Sequence, residues 1–388
     1  MMDDSFERKY YMKKTKAFLV MFASLLTLWV SAGQAQIIYG QRAWATFGIY
    51  GQSWKLKTET GTDKLSQWVI PINYFRPLRD NYELRVFTSV AFTGLDNTGG
   101  KNNLNGLNDT KFQAAGSFLE DRYLVSLGIN LPSGKRSLKA KEAEIAQFLS
   151  SDFLNLPVKN FGEGFNLNLT LARAFEWRNS LWGVGAGYQY NGTYSPYDNV
   201  SDYKPGDRLH LTGGVSSDLG NTKLSGDLTY LIYQADKQGG EKIFKDGNQL
   251  DLKGGLFYQQ GLYSLAAHAR YIIRGKDRRY GVPEAYREEA KNHGNDFRVS
   301  TSLFYQVRLK LKLIGQAEVK FVGENDYPST DVLHRGASHV IGLGGGFSYD
   351  LKEDYCLSVQ LKLFQGEADG GNIDLSGLQM QSSLFVRF

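Results

Sequence analysis

Ser376-Gly377-Leu378-Gln379-Met380-Gln381-Ser382-Ser383-Leu384-Phe385-Val386-Arg387-Phe388 is the stretch that decides the fold. Stepping back by two from Phe388 gives Val386, Leu384, Ser382, Met380 and Leu378, all but one of them apolar. The residues between are Arg387, Phe385, Ser383, Gln381 and Gln379, all but one of them polar. Successive side chains of a strand point to opposite faces, so this segment has one face suited to lipid and one suited to water.

The same alternation recurs upstream. Leu309, Leu311, Leu313, Ala317, Val319 and Phe321 alternate with Lys310, Lys312, Gln316, Glu318 and Lys320. Tyr355, Leu357, Val359, Leu361 and Leu363 alternate with Cys356, Ser358, Gln360 and Lys362. Phe165, Leu167, Leu169 and Leu171 alternate with Asn166, Asn168, Thr170 and Ala172. Period two sustained over about ten residues is the length and pattern of a membrane-crossing strand.

On this basis strands are expected near 42–54, 64–74, 80–93, 110–119, 121–131, 165–175, 181–193, 207–217, 221–234, 249–260, 261–274, 296–306, 308–323, 336–349, 354–365 and 376–388. The fold class is all-β: a transmembrane antiparallel β-barrel of about 16 strands. Fourteen is the alternative, in which residues 42–74 supply a plug or an extended arm. Short connections fall at Glu120, Glu176–Ser180, Gly220 and Val307. Long ones fall at 94–109, 132–164, 194–206, 235–248, 275–295 and 324–335. Tight turns on the periplasmic side and long loops outside are the asymmetry of outer-membrane barrels.

Composition agrees. The 388 residues include 23 Tyr, 23 Phe and 43 Gly but only 8 Pro. Aromatics gird membrane interfaces, and glycine serves turns and sheet curvature. The single cysteine, Cys356, excludes an internal disulfide and a cysteine-based zinc cluster. A net charge of +5 gives no footprint for nucleic acid.

Lys13, Lys14 and Lys16, an apolar run from Ala17 to Ala32, and Gly33-Gln34-Ala35 have the layout of a secretory signal peptide. The expected leader is 1–35, with Met12 as a candidate true start, followed by one barrel domain over 36–388. Within 132–164, Leu138 to Leu149 has helix-forming composition, with Leu138, Ile145, Phe148 and Leu149 on a partial stripe. Such a helix either caps the barrel mouth or folds into the bore as a gate. The charged run Gly275–Asp296 is expected as a solvated outer loop.

If the apolar parity faces lipid, the other parity faces the bore. The expected bore-lining cations are Arg85, Arg122, Lys253, Arg270, Arg274, Arg298, Lys310, Lys312, Lys320 and Lys362; the acids are Glu83, Asp227, Asp251 and Glu318. A cationic excess would favour anions in a water-filled pore, whereas cross-strand pairing would make the same charges braces of the wall. Gly183, Gly185 and Gly187, and again Gly342, Gly344 and Gly346, line up on the inward parity, where they make room for a loop, plug or ligand or let the sheet curve. His210 and His268 are inward; His293, His334 and His339 lie in or beside loops. No metal-ligand spacing or nucleophile elbow occurs, so neither an enzyme nor a metal or organic cofactor is expected.

Gly106-Leu107-Asn108-Asp109 precedes a strand, a turn and a second strand that runs into Leu131-Pro132-Ser133-Gly134. This is similar to the Gly-x-Gly-Asp … Leu-Pro-Thr-Gly pattern of FadL-like outer-membrane channels, in particular the branch associated with phenol meta-degradation clusters. Gly106, Asn108, Asp109, Leu131, Pro132 and Gly134 carry the resemblance over about 30 residues. Asn108 replaces the second glycine and Ser133 the threonine, and nothing in 36–43 matches the Asn-Pro-Ala hatch of the fatty-acid members. The final Phe388 likewise resembles the assembly signal by which outer-membrane barrels engage the barrel-assembly machinery. Together these resemblances imply a channel in the outer membrane of a Gram-negative type bacterium, with outer-membrane lipid around it and small molecules, hydrophobic or aromatic ones among them, passing through. A structural or surface-binding barrel that works through its loops is the second reading, and a barrel hydrolase the third.

Overall fold

The computed structural model describes residues 42–79, 81–151, 153–198, 200–281 and 289–388. The leader expected at 1–35 lies outside the described residues.

Seventeen strand segments form one continuous sheet: Trp44–Lys57, Thr62–Arg79, Tyr82–Asn97, Gly100–Leu107, Thr110–Phe118, Tyr123–Leu131, Asn166–Trp177, Ser180–Asn191, Arg208–Leu219, Thr222–Tyr233, Gln249–Gln260, Tyr263–Arg274, Asp296–Arg308, Leu311–Val322, Ser338–Lys352, Tyr355–Ala368 and Ile373–Arg387. Each pairs antiparallel with its neighbours. Gly100–Leu107 and Thr110–Phe118 both lie on Tyr82–Asn97 and together make one interrupted strand, so the wall has 16 positions. Trp44–Lys57 pairs with Ile373–Arg387, from Trp44↔Arg387 to Lys57↔Asp374, and closes the circle. Closure leaves the wall without an edge strand, so its backbone groups pair across neighbouring strands, as a lipid environment demands; the ladder is interrupted at Gly48–Ile49, opposite Ile70 and Pro71, which has no N–H to give.

The outer face carries the apolar parity. Phe47, Ile49, Trp68, Ile70, Leu361, Leu363, Leu378 and Met380 are all exposed. A contiguous apolar surface of this extent is incompatible with free solution and fits a bilayer. The strands at 44–57 and 62–79 are wall strands, so the plug alternative for 42–74 does not hold.

At one end every connection between the described wall strands is short; the other end carries the long loops together with short connections at 58–61, 98–99 and 369–372. The connection expected at Glu120 spans 119–122, with Leu119, Glu120 and Asp121 all in the left-handed region at φ 52°, 56° and 67°. The stretch expected as a long loop at 94–109 is instead a tight hairpin: pairing runs from Val90↔Leu107 up to Asn97↔Gly100. Its polar outward residues gave it loop-like composition, yet they sit on a strand that rises above the apolar belt.

The loops at 192–207, 234–248 and 275–295 add a second sheet above the wall, built from Tyr203–Lys204, Asp236–Gln238, Glu241–Lys245, Asp277–Arg279 and Glu289–Ala290. The charged run at 275–296 thus contributes two strands to this sheet, Asp277–Arg279 and Glu289–Ala290, with Ala290 buried. A repeated latch ties this crown to the rim. The Gly206 N–H donates to Asp236 Oδ1 at 2.7 Å, Gly247 N–H to Asp277 Oδ1 at 2.8 Å and Gly336 N–H to Asp369 Oδ1 at 2.8 Å. Glycine is required at the first two because a Cβ would stand 2.0 Å from the Gln234 carbonyl oxygen at Gly206 and 2.3 Å from that of Gly275 at Gly247. Each latch joins the approach to one downward strand with the exit of the next upward one.

Candidate functional site: a loop folded into the barrel

The interrupted strand sets up the site. Between the pairs Val90↔Leu107 and Phe87↔Lys111, two residues on one strand face three on the other. One extra residue makes a β-bulge, which re-aims side chains locally. Here it buries Asp109 at 5% exposure. The Asp109 carboxylate accepts the Gly134 N–H at 2.8 Å, the Glu163 N–H at 2.7 Å and the Asn130 side-chain amide at 2.9 Å. Gly134 and Glu163 stand at opposite ends of the loop 132–165, so one carboxylate clamps both. Ser133 completes the junction: its Oγ accepts the Thr110 N–H at 2.9 Å. Gly134 has no room for a side chain, since a Cβ would meet the Phe161 carbonyl oxygen at 2.0 Å. Gly106 lies beside the Phe161 ring, where a Cβ would still fit at ordinary contact, 3.5 Å from Phe161 Cδ1. The motif residues are therefore the root of this loop.

From that root the loop turns inward. Its helix, Ala140–Leu149, buries Ile145 and Leu149 completely. Glu144 on the same helix accepts the side-chain amides of Asn97 at 2.6 Å and Asn102 at 2.8 Å. Beyond the helix the backbone docks on the inner wall. The Leu154 carbonyl accepts from Gln52 Nε2 at 2.9 Å and Trp54 Nε1 at 3.0 Å. Gln67 donates to the Val158 carbonyl and accepts the Val158 N–H, both at 2.9 Å. Leu154, Leu156, Val158 and Phe161 join Trp54, Leu65, Val69, Leu104, Val340, Phe364 and Leu375 in one apolar cluster. Phe153 reaches the far side, where Lys320 Nζ lies 5.9 Å from its ring centroid. Of the two places expected for the helix segment, the helix takes the mouth, on the raised hairpin at Asn97 and Asn102, and the chain that follows it, 153–161, enters the bore.

Two inward glycines make this docking possible. A Cβ on Gly342 would stand 2.6 Å from the Phe364 ring, and one on Gly377 would stand 2.7 Å from the Trp54 ring. Those rings lie 5.2 Å apart and form the floor under Leu154. Gly187 similarly makes room for His210, whose Nε2 is 3.3 Å from Thr170 Oγ1.

Facing the loop is a wall of paired charges. Glu318, buried, takes Arg298 on one oxygen and Lys362 on the other, the latter at 3.0 Å. Lys320 lies 3.5 Å from Asp296. Arg270 grips Asp251 with two nitrogens at 2.9 and 2.8 Å, and Lys253 joins at 3.4 Å. Arg85 pairs with Glu83 at 3.0 Å. The expected cations Arg85, Lys253, Arg270, Arg298, Lys320 and Lys362 are thus brought onto four carboxylates, and Asp227, inward opposite Lys253, is a fifth, so the cationic excess is smaller than the sequence suggested. Arg274 and Lys312 have inward parity at the two ends of the wall. Arg122 and Lys310 do not face the bore: both occupy short-end turns and are exposed, because the turns at 119–122 and 309–310 are longer than the alternation implied.

Asp296, Gln52, Trp54, Gln67, Phe153 and the inward, exposed Lys111 were not among the expected bore residues. A signal for some of them exists. Trp68-Val69-Ile70, Val340-Ile341 and Leu363-Phe364 break the alternation by placing apolar side chains on both faces. A strand that is apolar on both faces is covered on both, here by lipid and by the loop. Among the described residues no group of three or more His, Cys, Asp or Glu side chains comes together as a metal site.

No family model matches the chain, and no curated protein matches it. Solved structures do. A monoaromatic hydrocarbon channel, the TodX deltaS2S3 mutant, shares 10% identity, covering 90% of this chain and 91% of that one with a TM-score of 0.47. A Pseudomonas aeruginosa FadL homologue shares 8%, covering 89% and 90%, with a TM-score of 0.43. The outer-membrane channel DcaP of Acinetobacter baumannii shares 13%, covering 88% and 97%, with a TM-score of 0.41. Values this low transfer no residue role; the 16-position closure rests on this chain's own pairings.

Proposed function

We propose that the protein is an outer-membrane diffusion channel for small molecules whose constriction is the loop 132–165. The observation that carries this reading is the clamp: buried Asp109 ties both loop ends while Gln52, Trp54 and Gln67 hold its middle against the inner wall. A barrel that served only as a scaffold would gain nothing from ordering a loop inside its bore, where each fixed residue costs conformational entropy. Opposite the loop, charged side chains line the remaining path, and fixed charges at close quarters select solutes by sign and size.

The surplus of cations over carboxylates favours small anions. Hydrophobic or aromatic cargo is supported by the motif resemblance and by the aromatic and aliphatic loop, while the ion-paired wall suits an amphiphile, such as an aromatic acid, better than a pure hydrocarbon. Conductance and reversal potential of the purified, refolded chain in a planar bilayer test the proposal. A steady, mildly anion-preferring conductance is expected. A folded but silent barrel would overturn it and favour recognition by the outer crown.

A further inference from the structure

The barrel exterior carries a second feature, independent of what passes through the bore. Across the strands ending at Ser376, Lys55, Lys64, Asp96 and Lys101, successive rows of outward side chains can be read from the pairings. One row is Ser376, Lys55, Lys64, Asp96 and Lys101. The next towards the membrane is Leu378, Ser53, Ser66, Gly94 and Asn103. The one below is Met380, Gly51, Trp68, Phe92 and Asn105. Small side chains in the middle row recess the surface between a cationic ledge and an aromatic belt. They line an external groove of about 610 Å³. A second groove of about 760 Å³ adjoins it, shares Lys55 and Ser376, and adds Lys57 beside Asp374 and Glu367.

The ledge is electrostatically unusual. Lys55 and Lys64 stand directly opposite on paired strands, on the same face, and both are exposed. Like charges in that relation destabilise a sheet unless an anion sits between them. The only carboxylate in the row, Asp96, is engaged by Lys101 at 3.8 Å. Outward side chains near the loop end of other wall strands include Tyr190, Leu209, Tyr230, Ile273, Phe297 and Phe321, and beside the ledge His339, Glu367 and Asp374; lysines also face each other in the crown, where Lys237 stands opposite Lys204 and Lys242, but there no aromatic belt lies below them on the same strands. Lys64 and Trp68 are four residues apart, about 13 Å along a strand. That is a suitable span from an acyl-chain belt to a headgroup.

We propose that this ledge and recess bind a phosphorylated glycolipid of the outer leaflet, of the lipid A type. One phosphate lies between Lys55 and Lys64, the sugar rests over Ser53, Ser66 and Gly94, and acyl chains run down Trp68, Phe92 and Met380. The shape suits a disaccharide better than a glycerolipid, because the two grooves meet at Lys55 and widen the recess along the rim; the charge selects for the phosphate at Lys55 and Lys64, since Lys57 is offset by Asp374 and Glu367.

Native mass spectrometry of the refolded full chain tests this, with bisphosphorylated lipid A, its fully dephosphorylated form and phosphatidylglycerol as probes. Bisphosphorylated lipid A is expected to be retained preferentially. Lys55→Gln combined with Lys64→Gln is expected to weaken retention about thirtyfold, taking about 1 kcal/mol per lysine near a membrane surface. Lys310→Gln, in an exposed short-end turn, should leave it unchanged. Heat-dependent gel mobility of each variant reports that the barrel is folded. Equal retention by the double variant, equal retention of dephosphorylated lipid A, or equal retention of phosphatidylglycerol would each overturn the proposal.

Discussion

Replacing Gln67 by Ala removes the one side chain that holds both polar groups of a loop residue. Gln67 is fully buried, and its amide satisfies the N–H and the carbonyl of Val158 at 2.9 Å each. Each such bond is worth about 0.5–1.5 kcal/mol net, and a buried backbone group left without a partner costs about 1–3 kcal/mol. The substitution therefore weakens docking by roughly 2–5 kcal/mol. Opposing this is the burial of Leu154, Leu156, Val158 and Phe161, each worth about 1.5–3 kcal/mol as an upper estimate. Docking survives, but the undocked population rises by a factor of about thirty or more, since 1.4 kcal/mol is tenfold. Single-channel recordings should then show a larger conductance level, visited often in the variant and rarely in the parent. Trypsin added to the outer side should cut at Lys159 faster in the variant. If Gln67→Ala gave the parent's conductance record and the parent's cleavage rate, the loop would not be held as described.

Asp109→Ala should release both ends of the same loop at once; because the clamp is a charged acceptor with three donors, the loss should exceed that of Gln67→Ala in the same recordings. Glu318→Gln leaves Arg298 and Lys362 with a neutral partner, so the reversal potential should move towards that of a more anion-selective pore, while heat-modifiable gel mobility should show a barrel that unfolds at lower temperature, by about 3–5 kcal/mol of lost stability. An unchanged reversal potential would place these groups away from the ion path. In the crown, burial, then Asp236 and Asp277, push the Asp246 carboxyl up to about 6, against Arg208 and Arg274. Between its ordinary value of 3.8 and 6 the folded crown holds a proton that the unfolded one has lost, so this contribution to stability declines as pH rises through that window. Amide exchange over 236–245, corrected for intrinsic rates, should be slower at pH 5 than at pH 7.5, and Asp246→Asn should remove the difference; a parent with no pH dependence would refute the assignment.

The wall was legible in the sequence because lipid on one side and water on the other impose a strict period of two. Segments such as Leu311–Val322 and Ile373–Arg387 could be read residue by residue. Reading failed where neither environment held. Asn102 and Asn103 stand above the belt and Asn105 at its edge beside Phe92, so a real strand looked like a loop. Val69 and Phe364 face a docked loop in place of water, so the parity blurred where the candidate site lies. The root of that loop was visible as a motif, but the three donors that converge on Asp109 come from residues up to 54 positions away, and no local pattern encodes their meeting. The charges at Arg298, Glu318 and Lys362 were found individually, whereas their balance depended on Asp296, which reads as a loop residue at a strand's first position.

The apolar cluster beneath the loop draws on Trp54 and Leu65 from the beginning of the chain and on Val340, Phe364 and Leu375 from its end. Trp54, Leu65, Val69 and Leu104, with the docking side chains Gln52 and Gln67, come together on the first four paired strand segments, so part of the loop's seat needs no closed circle. The pairing of Trp44–Lys57 with Ile373–Arg387 brings Val340, Phe364 and Leu375 to the other side of that seat. The seam that seals the wall is therefore also the line along which the two halves of the constriction's seat meet.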